Sequence, residues 1–215
     1  MQRFICLFLA LVLLPSFASG HQHEGDGKSG APNDVAVKAI INHIYMVISD
    51  GGNIAVSKGA QGIFVVDNGL VDQKNKVLDA LQSLSEEPVK ILVNTHWHYD
   101  HAGNNQSFGD NGTMIIAHDN VRARLKEGGT IAAFDKVIEP APLNALPVLT
   151  YANDISVHLN GDMVKILPID AAHTDGDSIV FWPEENILHT GDVFFNGFYP
   201  FIDSSSGGSL RGMVK

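Results

Sequence analysis

Cysteine is almost missing from this chain. Its 215 residues contain one, Cys6, and that one lies in an apolar leader. Once the leader is removed, disulfides, thiolate metal sites and cysteine nucleophiles are all excluded. Residues 1–20, MQRFICLFLALVLLPSFASG, have a basic start at Arg3, an apolar run from Phe4 to Leu14, then Pro15 and small residues. This is the pattern of a cleaved secretory signal, with cleavage after Ala18 or Gly20. The run is too short to serve as a stable membrane anchor, and no small-residue box of the lipoprotein type precedes Cys6. Export to the periplasm or the medium is expected. Without disulfides, stability must come from a core, which about 180 to 200 mature residues can bury.

Basic residues are also scarce, 14 Lys and Arg against 24 Asp and Glu, for a formal charge of -10. With no basic run, nucleic acid is excluded as a partner, because phosphate binding needs clustered cations. There is no internal repeat or low-complexity block, and length favours one domain. Nothing in the sequence speaks to oligomeric state. Residues 21–34 are rich in Gly, His, Asp, Ser and Pro and read as a flexible N-terminus; His21 and His23 are assigned to that tail. Residues 35–215 are left for the folded domain.

What is present is a β-rich pattern with interleaved helices. VAVKAI at 35–40, HIYMVIS at 43–49, NIAVSK at 53–58 and GIFVVD at 62–67 are separated by glycines and Asn68-Gly69, which predicts a meander of antiparallel strands. Apolar residues from Val71 to Leu84 recur at helical spacing. KILVNT at 90–95 reads as a buried strand. TMIIAH at 113–118 reads as another, followed by a helix to about Leu125 capped by Asp119. Residues 128–150, rich in Gly, Ala and Pro, read as a loop with little regular structure. ISVHLN and DMVKILPI flank Asn160-Gly161, a hairpin signal, and strands DSIVFW and NILHT follow the loop that carries His173.

At the end of KILVNT stands NTHWHYDH, with three of the chain's ten histidines and an aspartate in six positions. His96 and His98, two apart, leave one face of an extended strand end; Asp100 is placed to cap a short helix starting at His101. Four costly polar groups at the end of a buried strand are poorly tolerated without something to satisfy them. Imidazole and carboxylate without thiolate suit zinc, iron or manganese. His173 in AAHTDGDS and Asp192 in HTGDVFF follow strands and can reach the same face. His43, His118, His158 and His189 are read as ordinary core or surface residues.

NTHWHYDHAGNN, AAHTDGDS and HTGD, in that order, resemble the motifs of the metallo-β-lactamase superfamily from about residue 35 onward. The resemblance implies an α/β fold, the αββα sandwich. It also implies zinc, one or two ions, with His96, His98 and His173 as ligands of the first, Asp100 and His101 as ligands of the second, and Asp192 bridging. Asp67 in FVVDNG matches an aspartate that supports the ligand loop without binding metal. The family's last histidine has no counterpart, since none follows His189. The expectation is therefore a fragment or truncated reading frame, with a complete first site and a second lacking one ligand.

The function so implied is hydrolysis of an ester, thioester or amide-type bond in a small molecule by metal-activated hydroxide, with Asp100 as the catalytic carboxylate that orients the hydroxide and passes a proton. Three alternatives stand beside it. One is a class B β-lactamase, for which export speaks, although fold does not fix substrate. Another is an iron oxygenase of persulfide dioxygenase type using His96, His173 and Asp192. The third is an inactive metal-binding fragment. The closing stretch FFNGFYPFIDSSSGGS either walls the pocket through Tyr199 and Phe201 or packs the sandwich.

Overall fold

A computed structural model of the chain describes residues 34–215; the expected leader and the tail up to residue 33 lie outside the described residues. The predicted meander is present as β1 (Ala36–Ile41), β2 (Ile44–Ile48), β3 (Asn53–Gly59) and β4 (Gly62–Val66), each antiparallel to the next. The helical spacing after it becomes a 3-10 turn at Val71–Gln73 and α1 (Lys74–Leu84). That crossover returns the chain as β5 (Val89–Asn94), parallel to β4. Two short helices, α2 (Tyr99–Ala102) and α3 (Asn105–Asp110), lead to β6 (Met114–His118), also parallel. α4 (Asp119–Glu127) follows.

Residues 128–150 are more regular than expected: β7 (Gly129–Ile131) and β8 (Lys136–Ile138) form a small hairpin, and β9 (Leu149–Tyr151) adds an edge to the main sheet. Three-residue strands are too short to show a period, which is why composition alone read the segment as loop. The main sheet thus has seven strands in the order β1-β2-β3-β4-β5-β6-β9. β10 (Ile155–Leu159), β11 (Asp162–Pro168), β12 (Ser178–Trp182) and β13 (Ile187–His189) form a second, antiparallel sheet, and a single turn, α5 (Leu210–Met213), lies near the C-terminal end. Asn160 and Gly161, both at positive φ, make the turn of the β10–β11 hairpin as read.

The two sheets pack face to face. Phe64, Val66, Val93 and Ile116 from the large sheet meet Val164, Ile166, Val180 and Trp182 from the small one, with the Phe64 and Trp182 rings edge to face at 5.9 Å. On the large sheet's other side Val77, Ala80 and Leu81 of α1 and Phe108 of α3 cover Val56, Val65, Leu92 and Ile115. This is the layered α/β sandwich that the resemblance implies, and β4 and β5 end together, beside one another, at one rim of it. No described helix is long and apolar enough to cross a membrane.

Two capping assignments need correction. His118, not Asp119, caps α4, its Nδ1 accepting from the Asn120 N–H at 3.2 Å. Asp100 does not cap α2: the cap position is His98, and Asp100 lies in the first turn, which frees its carboxylate to face the cleft.

Candidate metal centre

β5 ends at Asn94, so His96 and His98 sit in the loop beyond the strand rather than on its pleat. They converge because the loop is pinned from below. Asp67, at the end of β4 and at φ 63°, accepts from Thr95 N through Oδ1 and from Thr95 Oγ1 through Oδ2, each at 2.8 Å. The same Oδ2 is 2.8 Å from His101 Nδ1. This is the supporting role expected of Asp67. Asn94, Asn105 and Asn68 form a buried amide network beneath the loop, with Asn105 Nδ2 donating to Asn94 Oδ1 at 2.8 Å.

The small sheet supplies the rest. His173 follows β11 and is fully buried. Asp192 follows β13 in a turn that begins at Gly191, whose φ is 51° and where an added Cβ would stand 2.7 Å from Thr95 Oγ1. Only a glycine lets that turn approach the histidine loop so closely.

Nearly all of the expected site residues come together. His96, His98 and His173 each offer a ring nitrogen, and these atoms lie within 4.8 Å of one another; their ring centroids are 4.7 Å apart in every pairing. His96, His101 and Asp192 form a second group of the same compactness. Asp100 stands at its edge, Oδ2 3.8 Å from His101 Nε2. For the iron alternative, Asp192 Oδ2 is 3.7 Å from His173 Nε2.

Hydrogen bonding shows that the residues fit a cation. Thr95 Oγ1 gives its one proton to Asp67, so across 3.1 Å it accepts from His96 Nδ1, and the His96 Nε2 lone pair is left facing the cluster. His101 gives its Nδ1 proton to Asp67, which turns its Nε2 inward as well. Both Nε2 atoms are buried without a hydrogen-bond partner, a costly condition that an ion relieves. Charges agree. Burial, then the neighbouring His101, His173 and His98, holds His96 well below 6.5, and His98 is lowered to about 4 by burial and His173 against the pull of Asp203. Burial also opposes charge on His101, but Asp67 and Asp192 outweigh it and raise that histidine well above 6.5. Asp192 Oδ1, 3.2 Å from His101 Nε2, meets that ring as an ion pair rather than as a hydrogen bond. Asp192 is lowered despite burial, by His101 first, while Asp100 is raised by burial and by Asp192.

His98, Asp100, His101 and Asp192 floor a cleft of about 760 Å³. Its walls are largely apolar, with Ile40, Phe134, Leu188, Phe194 and Phe198 among them, and among the described residues no Lys or Arg lines it. Phe201 is part of the wall, its ring 5.5 Å from that of His173. Tyr199, expected there too, stands 98 % exposed outside it. The tight β2–β3 loop closes one side, with Gly52 against the His101 ring.

The remaining histidines have structural partners or lie on the surface. His43 Nε2 pairs with Asp162 at 2.8 Å, tying the two sheets; His189 Nε2 donates to Asn53 O at 2.9 Å, and His158 is exposed. Sequence reasoning missed Asp203, 2 % exposed, whose Oδ2 is 2.9 Å from His98 Nε2. The only signal was an acidic residue between an aromatic stretch and three serines.

Comparison with known proteins agrees with this geometry. A family model described as Metallo-beta-lactamase superfamily matches residues 49–213. The chain is similar to the linear primary-alkylsulfatase of Pseudomonas sp. (strain ATCC 19151), 41% identical over 188 residues, covering 72% of this chain and 35% of that one. It is also similar to the 2,4-dinitroanisole O-demethylase subunit alpha of Nocardioides sp. (strain JS1661), 26% identical over 149 residues, covering 65% and 40%. The chain spans less than half the length of these relatives. Among solved structures, a metallo-beta-lactamase from Pontibacter korlensis matches with a TM-score of 0.66 at 17% identity, covering 84% of this chain and 81% of that one. The DIM-1 metallo-beta-lactamase matches with 0.65 at 18%, covering 84% and 79%. At such identities the likeness carries the fold alone.

Proposed function

The chain belongs to the metallo-β-lactamase superfamily, and from that premise we propose that it is a zinc-dependent hydrolase of ester-type bonds in substrates with a sizeable apolar group. The observation that carries the reading is the convergence of four buried imidazoles with Asp192 beneath an apolar cleft that His98, His101 and Asp192 line. His96, His98 and His173 would hold one ion; His101, Asp192 and Asp100 would hold a second. Bound zinc lowers the pKa of a coordinated water toward neutrality and polarises the bond to be cut.

The chain's own residues do the rest. Asp67 fixes the ring of His101. The phenylalanine wall takes the apolar part of the substrate and excludes water from the floor. Asp100, whose carboxylate lines the cleft at the edge of the second group, is placed to pass a proton to the leaving group. No serine or cysteine nucleophile is required.

The apolar lining and the alkylsulfatase relative together favour an ester bearing a long alkyl chain, a sulfate ester included. The leader supports export as part of the same proposal, to be tested by fractionation and N-terminal sequencing of the mature chain.

The test is metal content of the purified chain, followed by hydrolysis of alkyl sulfates, 4-nitrophenyl esters of graded length, thioesters and a chromogenic β-lactam. Zinc near one or two equivalents with ester turnover supports the proposal. Turnover of the β-lactam alone would replace the substrate class, and iron with no hydrolysis would replace the reaction by the oxygenase alternative. Folded protein that takes up no metal would mean that this chain is not a metal-dependent enzyme.

A further inference from the structure

His98 and His173 approach each other with His98 Nδ1 3.0 Å from His173 Nε2. Which of these atoms carries a proton is decided on the far side of each ring, and both far sides meet the same short segment. His173 Nδ1 lies 2.8 Å from the carbonyl oxygen of Phe201. A carbonyl only accepts, so the His173 proton is on Nδ1 and its Nε2 presents a lone pair. His98 Nε2 lies 2.9 Å from Asp203 Oδ2. That carboxylate only accepts too, so the His98 proton is on Nε2 and its Nδ1 presents a lone pair. The 3.0 Å contact therefore sets two lone pairs against each other, an arrangement that a shared cation stabilises and two neutral rings alone do not.

We propose that residues 201–206 form a clamp that sets the tautomers of two metal ligands, with Asp203 as the positioning residue for His98. The clamp is itself held rigid. Asp203 Oδ1 accepts from the backbone N–H groups of Ser205 at 3.0 Å and Ser206 at 3.2 Å, and from Ser205 Oγ. Ser206 Oγ donates to Oδ2 and accepts from Trp97 Nε1 at 3.0 Å, which ties the segment to the residue beside His98. Asp203 N donates to His173 O at 2.9 Å. Gly208 lets the chain pass so near, since a Cβ there would fall 2.1 Å from the same carbonyl.

This geometry makes Asp203→Asn a specific probe. The two backbone donors at the Oδ1 position require the amide oxygen there, which puts the NH2 at the Oδ2 position, facing His98. His98 Nε2 must then accept, its proton moves to Nδ1, and the lone pair aimed at the cluster is lost. Ser206 Oγ can turn to accept, so the change is nearly isosteric.

The inference rests on the reading of His98 and His173 as ligands, but its first test needs no metal. Nitrogen-15 NMR of the imidazoles in the metal-free chain, with His98 identified by its loss in His98→Gln, reads the tautomer directly. The expected result is an Nε2-protonated His98 in the wild type and an Nδ1-protonated one in Asp203→Asn, with zinc bound about 10- to 100-fold more weakly by the variant. An Nδ1-protonated His98 in the wild type overturns the proposal even if the variant does not fold. So does an unchanged tautomer in a folded Asp203→Asn, whatever happens to zinc affinity, since that would be a merely structural role. Wild-type protein that shows the expected tautomers but binds no zinc would count against the hydrolase reading and leave the clamp standing.

Discussion

Asp67 shows how much one carboxylate arranges. Three donors converge on it, Thr95 N, Thr95 Oγ1 and His101 Nδ1, each at 2.8 Å. In Asp67→Asn the amide must turn its NH2 toward donors at one position or the other. About 1–3 kcal/mol of stability is expected to be lost for the group left unsatisfied, with zinc affinity down about 10- to 100-fold. Urea titration of the metal-free variant and a chelator competition measure the two separately. His96→Ala removes one member of the proposed first group and should bring zinc content there close to nothing while the fold persists. The cluster itself was legible in the sequence because four of its six members sit within six positions and the other two carry recognisable neighbours. Asp203 was not, because its partner lies 105 residues away and nothing in a run of serines says which ring it will face.

Elements carry the same lesson in their own terms. The meander and the β10–β11 turn were legible because period and turn chemistry are local. The distribution of strands between two sheets was not, because a strand's pattern says which face is buried and not what buries it. The β10–β11 turn is an example. Asn160 and Gly161 announced the hairpin, but the side chain of Asn160 also grips the β3–β4 turn of the other sheet, accepting from Gln61 N at 2.9 Å and donating to Gly62 O at 2.8 Å. Gly59 leaves room for it; a Cβ there would lie 2.5 Å from the Asn160 amide carbon. Asn160→Gly keeps the positive φ available and removes only this grip. It is expected to cost about 1–2 kcal/mol, read as a lower urea midpoint with the slope unchanged. A variant as stable as the wild type would mean that this grip adds nothing to the shared core and the His43–Asp162 tie between the sheets.

For the whole molecule, the candidate centre joins two halves. The large sheet and its loop provide His96, His98, Asp100 and His101; the small sheet provides His173 and Asp192. An ion bound only when both are in place stabilises the folded state by mass action, about 4 kcal/mol at a free concentration a thousand times Kd. For a chain of this size that corresponds to a thermal midpoint about 8–16 °C lower after chelation.

The two groups differ in what they must give up to bind. His96 and His98 are held below the ordinary histidine range, the latter at about 4, so both are neutral at pH 7 and a cation meets no proton on them. Burial opposes charge on His101, but Asp67 and Asp192 outweigh it and shift that ring toward the protonated form, so an ion that takes its Nε2 is expected to displace a proton. Affinity for the second ion should therefore rise with pH through and above 7, while affinity for the first stays flatter over the same range. Calorimetric titration with zinc at pH 7, repeated in buffers of different protonation enthalpy, reads this directly: the second equivalent is expected to release about one proton more than the first. Equal release by both would mean that His101 is neutral in the metal-free chain, and that Asp67 and Asp192 do not hold a charge between them.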